Sequence, residues 1–393
     1  MKTLKDINVE YKTVILRCDL NVTIENDKII DDTKIRKSLK TIEYLLEHNA
    51  KVLIMSHLGK IETEKDKEEN NMLIVYNRLK SFLKDDVDFI SHTHGFKLKK
   101  AVKKLPYGKT LLMQNTRYED LNKNKESGCD MKLAKYWAKL GDIFVNDAFG
   151  TIHRAHASNY GISCFLPSVI GFLVEDEIKN LNMLDNPKKP FVLIMGGSKV
   201  SDKIKVIENL IEKIDYLLIG GKMAFTFLKA SGYEIGSCPY EKDQLDYCKD
   251  LLKKYKDKII LPVDLWGLYE DDLDHDPILE NITDISDGYI GFDIGDETIN
   301  KYKSILSKAK TVFWNGPLGK YEDENFILGT KEILSYLAKN TEVIILGGGD
   351  MVSSASLLEL DDNVTFASTG GGATLKYLED HNQPGLENMK WKK

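Results

Sequence analysis

Ten short apolar runs punctuate the chain, and most of them end in glycine or a polar residue ahead of a helix-length amphipathic stretch. They are TVILRCDL (13–20), KVLIMSHL (51–58), TLLMQNT (110–116), DIFVNDA (142–148), FVLIMGG (191–197), YLLIGG (216–221), KIILPVD (258–264), TVFWNG (311–316), VIILGGG (343–349) and VTFAST (364–369). Strands that are apolar along their length, rather than alternating, belong to parallel sheets covered on both faces. Periodic stretches such as KIRKSLKTIEYLLEHN (34–49) and LAKYWAKLG (133–141) supply the covering helices. The expected class is α/β, with about five parallel strands in each half.

A chain of 393 residues exceeds one ordinary core, so two domains are expected. Pro167 precedes the helical pattern GFLVEDEIKNLNML, which Asn186, Pro187 and Pro190 then break, and this puts the boundary within 170–190. Net charge is −6 with an isoelectric point near 5.9, a balance that disfavours nonspecific nucleic-acid binding. The charged stretches IETEKDKEENN (61–71) and KLKKAVKK (97–104) read as solvated faces. Five irregularly spaced cysteines form no CxxC and fit free thiols in a reducing cytoplasm. The opening MKTLKDINVEYK has no apolar signal region and no stretch nears membrane-spanning length, so a cytoplasmic protein without membrane attachment is expected, and the Asn21 and Asn281 sequons carry no glycosylation reading.

Ligands of open α/β sheets sit beyond the carboxyl ends of the strands. In the first half those ends offer Arg17, Asp19 and Asn21, then His57 and Lys60, then Arg117, then Asp147, His153, Arg154 and His156. Such a cationic collection suits a small polyanion carrying carboxylate and phosphate. The second half offers glycine instead, at Gly196-Gly197, Gly220-Gly221, Gly316, Gly347-Gly348-Gly349 and Gly370-Gly371-Gly372. Glycine turns let backbone N–H groups approach a polyphosphate or a flat base, and Asp350 stands where a carboxylate can meet Mg²⁺. The pattern is that of a nucleotide pocket.

Neither GxxxxGK[ST] nor GxGxxG occurs, which removes the P-loop and dinucleotide-dehydrogenase readings. His153 and His156 stand three apart without the further ligands a metal centre needs. In VLIMGGSKVSDKI (192–204), Lys199 and Lys203 are four apart, which predicts one face of a helix start at the nucleotide end. Phosphoryl transfer needs such fixed positive charge more than it needs a protein nucleophile.

RCDLNV (17–22), SHLG (56–59), QNTRY (114–118), VNDAFGTIHRAHAS (145–158), GGSKVSDKI (196–204), MAFTFLKA (223–230), LPVD (261–264), FDIGDETI (292–299), TVFWNGPLG (311–319), GGGD (347–350) and STGGGA (368–373) resemble, in order and across the whole chain, the signature segments of the phosphoglycerate kinase family. The resemblance implies two Rossmann-like domains, each a parallel sheet covered by helices. These would be a phosphoglycerate-binding domain over 1–171, a hinge helix over 172–186 and a nucleotide-binding domain over 187–379, with the tail 380–393 returning to the first domain. It implies a monomer that closes by hinge motion. Its reaction would be reversible phosphoryl transfer between 1,3-bisphosphoglycerate and ADP, giving 3-phosphoglycerate and ATP with Mg²⁺ in glycolysis. By the family's pattern Asp19, Leu20, Asn21, Lys34, His57, Leu58, Gly59, Lys60, Arg117 and Arg154 hold the triose acid. Lys199, Lys203, Gly291, Asn315, Glu322, Gly348, Gly349, Asp350 and Met351 hold the nucleotide, with Asp350 on the metal. Lys203, Lys34 and Lys199 are the implied catalytic groups.

Several positions depart from the family's pattern. Lys34 stands where the catalytic arginine is usual, and Arg36, two residues on, faces elsewhere on a helix. Lysine keeps the charge but loses the planar fork. Lys60 replaces another arginine, Thr23 a proline, Lys222 a glycine, Met351 a small hydroxyl residue and Lys376 a glutamate. Two functions divide on these changes: a working kinase, or a weakened relative kept for binding or regulation. Retention of Asp19, Asn21, Arg117, Arg154, Lys199, Lys203, Asn315, Glu322 and Asp350 favours the first.

Overall fold

A computed structural model of the chain describes residues 1–273 and 275–390. It divides into two compact units, Met1–Lys179 with Asp380–Lys393, and Asn180–Glu379. Of the tail 380–393, residues 391–393 lie outside the described residues.

Six parallel strands form the sheet of the first unit, in the order Val87–Ile90, Lys109–Met113, Lys51–Met55, Thr13–Cys18, Ile143–Asp147, Ser168–Ile170. The run VILRC of the central strand is buried throughout, as a strand covered on both faces must be. Helix Thr33–Glu47 buries Ile35, Ser38, Thr41, Ile42 and Leu45, a stripe at helical spacing that packs on this sheet. The segment 380–390 belongs here as well. Met389 accepts from the Lys2 N–H at 2.7 Å, and Gly385 both donates to Ile152 O at 2.8 Å and accepts from Asn146 Nδ2 at 2.9 Å.

In the second unit the parallel order is Ile259–Ile260, Tyr216–Ile219, Phe191–Met195, Thr311–Asn315, Val343–Gly347, Phe366–Ala367. A three-stranded antiparallel sheet, Ile278–Asn281, Asp264–Tyr269 and Tyr289–Ile294, packs around Phe225, Leu228, Ile235 and Leu265.

These sheets correct the expectation of about five strands in each half, since each has six. Val87–Ile90 and Ser168–Ile170 are edge strands of four and three residues, too short and too polar to stand out as apolar runs. KIILPVD contributes only Ile259–Ile260 to the parallel sheet, because Pro262 cannot donate to the ladder, and Asp264 already begins the antiparallel one. VTFAST shrinks to Phe366–Ala367. In each sheet the order reverses beside the first strand of the unit, Thr13–Cys18 or Phe191–Met195. These are the switch points at which α/β folds open a crevice.

Candidate functional site

The crevice of the first unit is built on Arg17, a guanidinium with no solvent exposure. Its Nε donates to Ser158 Oγ at 2.8 Å, one terminal nitrogen donates to Cys18 O, and the other meets His57 Nδ1 at 3.0 Å. Burial, together with the charges of Arg17 and Arg117, holds His57 well below the ordinary histidine range, so the ring is neutral and accepts from Arg17. The same causes push His156 down to about 3. Asp19 pairs with the Lys34 ammonium at 3.1 Å and accepts from the Asn21 N–H at 3.3 Å. Arg36 is engaged by Asp32 at 2.6 Å, so the first turn of the helix presents Lys34, not Arg36, to the crevice.

Asn21 Oδ1 accepts from the Gly59 N–H at 2.8 Å, and Arg117 donates to the Gly59 carbonyl at 2.5 Å. Only glycine serves at position 59, where φ is +58° and a Cβ would lie 2.1 Å from Asn70 Oδ1. Arg117 Nε is buried with no partner, and burial with the charges of Arg154 and Arg17 lowers the Arg117 pKa. Lys60 and Arg117 line one hollow together with Lys123 and Asn122. Arg154 is exposed and donates to His153 Nε2 at 3.0 Å. Leu20 and Leu58 bury their side chains in the core and offer only backbone: Leu20 N–H goes to Ser56 Oγ at 2.9 Å, and Leu58 O accepts from Asn115 Nδ2 at 2.7 Å. A cluster of cations therefore converges with one nearly unexposed aspartate, a receptor for a small acid that also carries phosphate.

Sequence reasoning missed Glu126, which has no exposure and receives both the Ser158 hydroxyl and the Ser158 N–H, the latter at 2.9 Å. No residue spacing marks a lone glutamate in the polar loop NKNKESG.

The second unit turns at Gly196, where a Cβ would fall 2.1 Å from the Pro317 carbonyl. Here one expectation is corrected. Lys199 and Lys203 do not share a helix face, because the helix is Ile204–Leu210, Lys203 caps it and Lys199 lies in the preceding loop. Glu241 holds that loop, taking the Val200 N–H at 2.5 Å and the Ser201 N–H and hydroxyl at 3.2 and 2.5 Å. Lys199 is exposed, whereas Lys203 is buried with its ammonium on Asn315 Oδ1, and burial pushes its pKa down to about 8.

Gly348, with φ of +91°, caps helix Gly349–Leu357, whose first N–H groups have no partner within the helix. Asp350 is exposed in that first turn. Met351 is buried in the hydrophobic core at the edge of the hollow. Lys199, Lys203, Asn315, Gly349 and Asp350 line a cavity of about 580 Å³. An adjoining cavity of about 310 Å³ shares Asp350 and is walled by Phe225, Leu265, Gly291 and Glu322, with exposed Lys222 on its lining. Gly291 donates to Cys238 Sγ at 3.2 Å, which fixes that wall. Lys376 also borders the larger cavity, with its ammonium on Glu379 at 2.7 Å. The larger cavity offers cations and helix N–H groups to phosphates, and the smaller offers an apolar slot to a base. Among the described residues no group of three or more His, Cys, Asp or Glu is arranged to hold a metal by itself.

The phosphoglycerate kinase family model matches residues 4–381. A phosphoglycerate kinase from Fusobacterium nucleatum is 46% identical over 393 residues, covering 98% of this chain and 98% of its own. One from Enterococcus faecalis is 46% identical, covering 99% and 98%. Among solved structures, the phosphoglycerate kinase from Coxiella burnetii aligns with a TM-score of 0.85 at 36% identity over 98% of both chains. That from Pyrococcus horikoshii aligns with a TM-score of 0.86 at 32% identity, covering 99% and 98%.

Proposed function

The chain belongs to the phosphoglycerate kinase family and functions as a phosphoglycerate kinase of glycolysis, and from that premise we propose how its two units divide the transfer. The first unit holds 3-phosphoglycerate or 1,3-bisphosphoglycerate. Arg117, Arg154 and Lys60 meet the distal phosphate, and Asp19, Asn21, Lys34 and His57 meet the hydroxyl and carboxyl end. In the second unit the purine lies along Gly291, Glu322 takes the ribose, and Lys199, Lys203, Asn315 and the N–H groups of Gly348 and Gly349 take the phosphates.

In the ATP-forming direction the bond between the acyl oxygen and phosphorus breaks, the carboxylate leaves, and an ADP β-phosphate oxygen forms the new bond. Lys203 and Lys34 stabilise the equatorial oxygens of the phosphoryl group in flight. Exclusion of water protects the acyl phosphate from hydrolysis. Asp350 is exposed with no hydrogen-bond or ion-pair partner at its carboxylate among the described residues, and it sits on both cavities. That fits Mg²⁺, which is commonly held by one or two carboxylates plus substrate phosphates and which neutralises phosphate charge when bound.

A monomer in the cytoplasm, with no nucleic-acid or membrane partner, is the matching cellular reading. All five cysteines are unpaired, and no helix among the described residues is long and apolar enough to cross a membrane. The observation that carries the proposal is the buried Lys203 ammonium seated on Asn315 between two glycine turns. Assay of the purified chain with 3-phosphoglycerate and Mg-ATP, coupled to detection of 1,3-bisphosphoglycerate, should give turnover well above background. Background turnover in a folded sample would overturn it.

A further inference from the structure

We propose that Glu126 is a positioning residue for triose-acid binding, fixing the Arg17 guanidinium through the Ser158 hydroxyl, an inference that rests on reading the first unit's crevice as the triose-acid site.

Glu126, Ser158 and Arg17 all have no solvent exposure. A buried guanidinium needs an anionic counterpart, and Asp19, the other carboxylate whose charge reaches Arg17, is already engaged by Lys34 at 3.1 Å. Glu126 supplies that counterpart without touching Arg17. One oxygen takes the Ser158 hydroxyl proton and the other takes the Ser158 N–H at 2.9 Å. With its proton committed, Ser158 Oγ has only lone pairs left, and it accepts from Arg17 Nε at 2.8 Å. Each donor in the chain therefore has one direction, and Arg17 has one orientation.

That orientation brings its far nitrogen to His57 Nδ1 at 3.0 Å, so His57 is oriented in turn. Backbone bonds brace the arrangement, because the Glu126 carbonyl accepts from the Ala157 N–H at 2.9 Å and the Cys129 N–H at 3.1 Å. His156 Nδ1 lies 4.0 Å from the carboxylate but is held neutral, so it does not consume the charge.

The interposed serine gives the arrangement its sense. A carboxylate paired directly and bidentately with Arg17 would take up guanidinium nitrogens that now meet Ser158 Oγ and His57 Nδ1. Set one hydroxyl behind, Glu126 compensates the buried charge in the fold while the far guanidinium nitrogen stays on His57, through which the effect reaches the triose acid.

The test uses the full chain as Glu126→Gln, which keeps the shape and loses the charge, as Ser158→Ala, which cuts the bridge, and as the double variant. Titration calorimetry with 3-phosphoglycerate and, separately, with ADP should show each single variant weakening the triose acid about tenfold. ADP affinity should stay within twofold of the parent. The double variant should bind no worse than the weaker single one, because the links act in series. Triose-acid affinity unchanged in Glu126→Gln, multiplied losses in the double variant, or an equal loss for ADP would each overturn the proposal. If Glu126→Gln does not fold, Ser158→Ala carries the same expectation alone, and retained triose-acid affinity there overturns it. Failure of the parent chain to bind 3-phosphoglycerate would instead sink the reading of the site.

Discussion

The Lys203 ammonium rests on the side-chain oxygen of Asn315, and the nitrogen of the same amide donates to the Gly347 carbonyl at 2.7 Å. One asparagine thus ties the end of the 196–203 loop to the end of strand Val343–Gly347 and holds a buried cation to which no carboxylate among the described residues is bonded. Lys203→Ala should lower kcat at least 100-fold, roughly the loss of one fixed charge at a developing oxyanion. The melting temperature should hold or rise, since a desolvated amine is removed. Turnover within tenfold of the parent would take Lys203 out of the transition state.

Acidity at that lysine predicts a pH limb. Burial brings the folded pKa down to about 8 from 10.5, so the ammonium is present below about 8 and lost as pH rises through it. The kcat/KM for Mg-ADP should therefore fall about tenfold per pH unit above that point. Lys203→Arg keeps its charge and should flatten the limb, even if its absolute rate is lower. An unshifted limb in the arginine variant would assign it to another group.

Lys34 occupies the place of a fork with a point charge. Its ammonium is 3.1 Å from Asp19, and its side chain is 29% exposed, which leaves room for a guanidinium that keeps Asp19 and presents a second N–H outward. Lys34→Arg should raise kcat, with about tenfold corresponding to ~1.4 kcal/mol of recovered stabilisation. A kcat equal to or below the parent's would show that this crevice is already fitted to lysine.

Asp293, on the lining of the smaller cavity, accepts from the Ile294 and Gly329 N–H groups at 2.8 and 2.7 Å, yet burial raises its pKa from 3.8 to about 7. A carboxyl raised on folding binds its proton more tightly in the native state, so its contribution is whole below about 4 and is lost as pH rises through 7. Between those limits the slope approaches ~1.4 kcal/mol per pH unit. Asp293→Asn has no such titration. Its melting temperature relative to the parent should therefore improve steadily from about pH 5 to about pH 8, and a pH-independent difference would refute the assignment.

Much of this molecule was legible because its strands are apolar from end to end and stop at the residues of the two candidate sites. Arg17, His57, Arg117 and Asn315 all lie at or just beyond such ends. What escaped depends on partners distant in sequence. Lys199 leaves the helix because Glu241, about forty positions on, captures the N–H groups of the loop. Glu126 matters through Ser158, 32 positions away, and no local pattern connects them. The antiparallel sheet escaped because Pro262 splits one apolar run between two sheets, a choice decided by packing on Phe225 and Leu265.

The return of residues 380–390 to the first unit orders events during synthesis. Asn146, next to the end of its strand, and Ile152, just ahead of Arg154, receive their Gly385 partners only after the ribosome has made the whole intervening second unit. The unit translated first is therefore the unit completed last, and a chain ending before Asp380 has the whole second unit but lacks the Gly385 partners of the first.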